Sequence, residues 1–183
     1  TISGKIEVSY NSKGYITKQK FYEQFVSGYN LVTADFIWKN DNLKQVSVYY
    51  EEKDNYDDYT EYQYESDIYT LEYSSNPSQN PNTGIYFWRD LYEDDIFYDF
   101  LWYSGLFGKT SKNIPISATN KYSHKLVNSN ENTTVVNKED GHINIETFYN
   151  QNGSISSIKQ LTKYSDSPEE IYQYIFYYGY DAE

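Results

Sequence analysis

The sequence predicts a mainly β protein: an antiparallel, up-and-down sheet that is strongly curved or barrel-like, with one central α-helix. Short segments alternate between apolar and polar residues, and turns rich in Asn, Asp and Gly separate them, as in serial β-hairpins. Only one stretch has a helical period. The 24 tyrosines suit half-wet strand faces, because each has an apolar ring and a polar tip. We count roughly ten strands, which suits a curled sheet or a barrel.

Four hairpins share one pattern: an aromatic-ended strand, a short polar turn and a return strand led by an aliphatic residue. Their turns are predicted at residues 11–14, 40–42, 65–67 and 150–153. Asn, Asp and Gly tolerate the positive φ angles that tight hairpin turns require. Gly14 and Gly153 occupy the same place in two Tyr-Asn-x-x-Gly-x-Ile segments, so both are predicted to have positive φ.

The remaining connections are read from charge and from turn residues. Residues 51–59 are expected to be an acidic loop or a loosely ordered hairpin tip, and residues 74–84 to be irregular because of two prolines. The last strand is predicted at 171–178. Further turns are predicted at residues 128–133, 138–141 and 165–169.

The helix is predicted at about residues 91–104. Ile96, Phe97, Phe100 and Leu101 fall on one face, which we expect to be buried against the sheet. Acidic residues at 93–95 suit the start of a helix, and glycines at 105 and 108 suit its end.

A chain of 183 residues suits one domain with a core of its own. We therefore predict a single β-rich domain over residues 1–183. Its segments are β-hairpins at 1–75, a linker at 76–84, the helix at about 91–104, an irregular connection at 105–118 and β-hairpins at 119–180.

Composition excludes several classes of function. The net charge of −12, with a single arginine, argues against nucleic-acid binding and against an anionic membrane surface. The absence of cysteine excludes disulfides and thiolate metal sites. The chain also lacks methionine, so Thr1 is not expected to be the native start. A removed signal segment is the commonest explanation.

Residues 104–115 read Ser-Gly-Leu-Phe-Gly-Lys-Thr-Ser-Lys-Asn-Ile-Pro. With the hairpins around it, this stretch resembles a motif of a family of secreted Bacteroidetes proteins, a domain of unknown function described as having a porin-like fold. The resemblance implies an antiparallel, barrel-like sheet and export to the periplasm or the outer-membrane surface of the cell envelope. It also implies a lipoprotein, bound to the membrane only through a lipid anchor upstream of Thr1. It assigns no activity and no catalytic residues.

No catalytic, cofactor-binding or metal-binding residues are predicted. The Gly-Lys-Thr at 108–110 lacks the glycine spacing and the following helix of a phosphate-binding loop. His124 and His142 are the only histidines and form no close metal-binding pair. Acidic residues at 51–58 lack the order of a helix-loop-helix calcium site, and whether they bind calcium stays open.

The aromatic residues leave two functional hypotheses. The first is a non-catalytic secreted or surface-anchored module that binds a glycan, a peptide or an envelope protein. Its ligand-binding residues would be Trp38, Tyr62 and Tyr64, with little dependence on salt, although packing within the protein is the other interpretation of these rings. The alternative is a glycan-directed hydrolase that uses paired carboxylates among the 27 acidic residues. Two buried carboxyl groups at catalytic separation would favour the enzyme.

Overall fold

The computed structural model describes residues 3–77, 108–109, 111–129, 133–151, 155–165 and 170–175. These residues form one antiparallel sheet of nine strands, arranged in the order of the sequence. The strands are β1 Ser3–Tyr10, β2 Ile16–Gln24, β3 Gly28–Lys39, β4 Asn42–Asn55, β5 Thr60–Pro77, β6 Asn113–Asn128, β7 Thr133–Tyr149, β8 Ile155–Tyr164 and β9 Glu170–Ile175.

The predicted up-and-down antiparallel sheet is confirmed, because each strand pairs with the next one in sequence. Within the described part of the chain no pairing joins β1 to β9, so the sheet is not closed there. The same residues contain no helix. The helix predicted at residues 91–104, including Phe97, Phe100 and Leu101, lies outside the described residues and stays a prediction.

Two of the predicted turns have the expected backbone conformation. Gly14 has φ +82° in the turn between β1 and β2. Asn40 and Asp41 have φ values of 52° and 62° between β3 and β4, as a type I′ hairpin turn requires. β7 and β8 form the hairpin predicted around residues 150–153, although Gly153 itself lies outside the described residues.

Two other predicted turns are wrong, because their residues lie in the middle of strands. Glu65 to Asp67 belong to β5, where Asp67 pairs with Val48 of β4 and Tyr122 of β6. Lys138 to Gly141 belong to β7, which pairs with strands on both sides. Ladder hydrogen bonds on two flanks outweigh the weak turn preference of Asp, Ser and Gly.

Several predicted boundaries also require correction. β5 continues to Pro77, into the predicted linker at 76–84, and β6 begins at Asn113, inside the connection predicted to be irregular over 105–118. Pro115 lies in β6 at a shift of register with Tyr73, where a residue without an N–H is tolerated. The acidic stretch 51–59 is strand up to Asn55 and forms a hairpin tip beyond it.

Most of the buried side chains lie on one face of the sheet, which we call the core face, whereas buried Ser47 lies on the other. Register places Val46 opposite Tyr69 on this face, and Ala118 opposite both Leu71 and Ile143. The residues form two clusters. One comprises Ile16, Val32, Ala34, Phe36, Leu43, Val46 and Val48, and the other Tyr69, Leu71, Ile114, Ala118, Ile143, Ile145 and Ile158.

Candidate aromatic binding face

Tyr62 and Tyr64 lie side by side on the face opposite the core, which we call the solvent face. Side chains alternate along β5, so these two point away from Tyr69 and Leu71. Their ring centroids are 6.2 Å apart and the ring planes differ by 6°. Both side chains are half-buried, so each ring is held by its neighbours and still partly reaches water. The structure therefore brings two of the three predicted ligand-binding residues together.

Two lysines border this tyrosine pair. Lys53 of β4 faces Tyr62 across the ladder, and its Nζ lies 5.7 Å from the centre of that ring. Lys125 of β6 faces Tyr64, with its Nζ 5.8 Å from the ring centre. An ammonium group within about 6 Å of an aromatic centre is weakly attracted to the ring face. The pair is thus bordered by one positive charge on each side of β5.

The aromatic surface continues onto β3 and β2. The Tyr29 hydroxyl donates to the Glu51 carboxylate, and this bond raises the pKa of Tyr29 to about 12. The Tyr29 ring lies 5.8 Å from that of Tyr22. Glu51 itself faces Tyr64 across the ladder. We use the name tyrosine patch for Tyr29, Glu51, Lys53, Tyr62, Tyr64 and Lys125.

Sequence reasoning missed the lysines of the tyrosine patch. Lys53 could have been found, because a hairpin centred between Asp57 and Asp58 places it opposite Tyr62. Lys125 could not have been found in this way. A long connection separates β5 from β6, and its sequence does not indicate which residues of the two strands pair.

Trp38, the third predicted ligand-binding residue, lies elsewhere. Its side chain packs against the core cluster that contains Phe36 and Leu43. Its ring stacks on Tyr15 with 4.4 Å between centroids, and its indole N–H donates to the Ile16 carbonyl at 2.6 Å. One face of the Trp38 ring and its indole N–H are therefore already in contact with other residues of the protein. Trp38 is not part of the tyrosine patch.

The conspicuous Gly-Lys-Thr-Ser-Lys-Asn stretch ties two hairpin turns together. Gly108 forms a bridge with Tyr15, and the Lys109 N–H donates to the Gly14 carbonyl at 3.2 Å. The Lys112 N–H donates to the Asp41 carbonyl at 2.9 Å. We call Gly108, Lys109, Ser111, Lys112 and Asn113 the clasp.

Ser111 and Asn113 extend the clasp into the start of β4. The Ser111 hydroxyl accepts from the Leu43 N–H at 3.1 Å and bonds the Tyr73 hydroxyl at 3.0 Å. The side chain of Asn113 bonds that of Asn42. The described part of the motif is therefore used for tertiary contacts, and the backbone N–H groups of Lys109, Lys112 and Asn113 donate to other parts of the chain.

An open groove of about 350 Å³ adjoins the clasp. Leu71, Tyr73 and Ile116 are among its apolar lining residues. The Nζ of Lys44, also on its wall, donates to the Leu71 carbonyl at 2.8 Å, so this ammonium is already engaged by the fold. The groove does not include Tyr62 or Tyr64.

Among the described residues of the core face, Asp67 is a carboxyl group whose pKa is clearly raised. Burial raises its pKa from 3.8 to about 6, against the opposing effect of hydrogen bonds from Asn120 and Tyr69. The Tyr69 hydroxyl lies 3.4 Å from its Oδ1 and accepts from the Asn120 amide at 3.0 Å. Glu65, two residues before it on the same strand face, adds a like charge that raises the pKa further.

Two buried amide oxygens near the core have no hydrogen-bond partner among the residues that the structure describes. They are Oε1 of Gln19 and Oδ1 of Asn120, whose side chains are 1% and 3% exposed. Nε2 of His124 is also buried without a partner. Buried acceptors of this kind are ordinarily satisfied by water or by a ligand that carries a donor.

Within the described residues, no group of three or more His, Cys, Asp or Glu side chains is placed to hold a metal ion. The described part of the chain also contains no helix that is long and apolar enough to span a membrane. Comparison of the chain with protein-family models, with curated proteins and with solved structures finds no match.

Proposed function

We propose that this protein is a non-catalytic binding module that holds a glycan against the tyrosine patch. The observation that carries the proposal is the near-parallel pair of half-buried rings at Tyr62 and Tyr64. Aromatic rings present flat apolar faces that suit the C–H faces of sugar rings, while their hydroxyl groups stay near water. Neighbouring strands hold both side chains, so little conformational entropy is lost on binding.

Titration of the purified chain with oligosaccharides, followed by calorimetry, tests this proposal. Tyr62→Ala and Tyr64→Ala should each weaken binding by tenfold or more, at about 1.4 kcal/mol per factor of ten. Phe148→Ala is the matched control, because this ring lies on the same face in β7, is 45% exposed and is remote from the patch. Binding that survives both tyrosine changes would refute the assignment.

The proposal places the module outside the cytoplasm, in the envelope of a bacterium or on its surface. Its support is the resemblance of residues 104–115 to the motif of a secreted family. An envelope protein or a peptide is the alternative partner. Fractionation of cells that produce the full-length protein would test the location, and recovery in the cytoplasm would refute it.

We also propose that the sheet is strongly curved. Ile16, Leu43, Val46 and Leu71 on the core face are nearly inaccessible to water. A flat single sheet of nine strands leaves both faces open and is about 38 Å wide at about 4.8 Å per strand. Small-angle X-ray scattering would distinguish this extended shape from a curled one.

A glycan-directed hydrolase is the second candidate, favoured by Asp67. A carboxyl group with a pKa of about 6 suits a general acid near neutral pH. Glu65 lies on the same face two residues earlier, so the backbones of the two acids are about 7 Å apart along the strand. Hydrolysis of an oligosaccharide that Asp67→Asn and Glu65→Gln each abolish would support the enzyme over the binding module.

A further inference from the structure

We infer that the ligand of the tyrosine patch is an acidic glycan, a polymer rich in uronic acids, whose carboxylates bind Lys53 and Lys125. This inference rests on the proposed function and names the class of glycan. Its support is local charge: the chain carries −12 overall, yet the patch holds two ammonium groups and one carboxylate.

The two ammonium groups are available to a ligand. The four ion pairs among the described residues use Lys5, Lys13, Lys18 and Lys159, so neither patch lysine is paired with an acid there. Each ammonium group lies near the outer limit of attraction to its tyrosine ring. A lysine that turns toward a carboxylate therefore loses little cation–π energy.

Glu51 does not cancel these charges for a bound ligand. Its carboxylate accepts the hydroxyl hydrogen of Tyr29, on the side of β4 away from Tyr62. The Tyr29 hydroxyl is protonated at neutral pH, as tyrosine ordinarily is, so it can donate this bond there. The carboxylate is thereby held toward β3, while both ammonium groups border β5.

The spacing of the lysines indicates a polymer. Lys53 and Lys125 lie on the two strands that flank β5, which are about 9.6 Å apart, and are offset by two residues, or about 6.6 Å, along them. Their backbones are therefore about 12 Å apart, with the tyrosine pair between them. A chain with two carboxylates, and with apolar ring faces between them, would reach both lysines and cover the tyrosine pair.

The direct test compares an oligogalacturonate with a cello-oligosaccharide of the same length by calorimetry, at low and at high NaCl. We expect the acidic glycan to bind more tightly. Its affinity should fall as salt rises, because exposed charges are screened, in contrast to the small salt dependence expected from ring contacts alone. Lys53→Gln and Lys125→Gln should each weaken its binding about tenfold, and should weaken any binding of the neutral glycan by a smaller factor. Lys163→Gln, on the same face in β8, is the matched control.

The contrary outcomes separate the two proposals. If the neutral glycan binds as tightly as the acidic one, and Tyr62→Ala abolishes both, the acidic ligand is refuted and the glycan-binding module stands. If neither glycan binds, both proposals fail. If polyglutamate binds as tightly as oligogalacturonate and depends on the same lysines, the partner is an acidic peptide and the inference is overturned.

Discussion

Asn42, the first residue of β4, and Asn113, the first residue of β6, bond each other twice across 71 positions of sequence. The Asn42 amide donates to Oδ1 of Asn113 at 3.0 Å, and the Asn113 N–H donates to Oδ1 of Asn42 at 2.8 Å. This reciprocal pair joins the clasp to the type I′ turn of the β3–β4 hairpin. Asn113, which belongs to the glycine- and lysine-rich motif, thus forms a tertiary contact between strands that are distant in sequence.

Asn42→Ala should lower the free energy of unfolding by about 1–2 kcal/mol, because it removes the side-chain oxygen that accepts from the partly buried N–H of Asn113. Urea denaturation would measure the loss. Asn137→Ala, at an exposed position of β7, is the control and should change stability by less than about 0.5 kcal/mol. Equal effects of the two changes would mean that the amide pair contributes nothing.

Gly108→Ala should destabilise the protein more than Gly14→Ala. Both glycines have positive φ, but a Cβ on Gly108 would lie 2.7 Å from the Gly14 carbonyl oxygen, whereas one on Gly14 has ordinary space. We expect about 1 kcal/mol for the backbone strain at Gly14 and a greater loss at Gly108, measured by denaturant titration. Gly14→Asn should recover part of its loss, because Asn tolerates positive φ. The reverse order of the two alanine variants would contradict the close packing of the clasp.

Asp67 should make the protein less stable as pH rises from about 4 to about 6. The unfolded carboxyl group loses its proton near pH 3.8, while the folded one keeps it to about pH 6, so the folded chain binds more protons in this window. The difference corresponds to at most about 3 kcal/mol. Asp67→Asn should remove this decline, as measured by urea unfolding at several pH values with Glu65 and the other acids unchanged. Parallel pH profiles for the two proteins would show that Asp67 is not the group responsible.

Trp38→Phe should reduce stability without changing ligand affinity. The substitution removes the indole N–H and leaves the buried Ile16 carbonyl without this donor, at a cost of about 1–3 kcal/mol. Trp38 packs on the core face, and the tyrosine patch lies on the solvent face. Thermal unfolding and ligand titration of one sample measure both quantities. If the variant lost affinity for the ligand while its stability stayed unchanged, Trp38 would be a ligand-binding residue after all.

Features with local causes are readable from the sequence. The turns at residues 11–14 and 40–42 follow from Gly14, Asn40 and Asp41, because few other residues accept positive φ. The alternation of strands such as β1 and β4 follows from a sheet with one face buried. The net charge of −12 is likewise a property of composition alone.

The tertiary structure decided what depends on pairing between distant strands. Asp67 and Gly141 look like turn residues, yet each lies between two paired strands, whose hydrogen bonds outweigh a local preference worth about 1 kcal/mol or less. Lys125 meets Tyr64 only because β6 takes one register against β5, and a shift of one residue would send it to the core face. Sequence alone specifies the polarity of each residue in a strand, whereas the neighbours across the ladder are a property of the folded sheet.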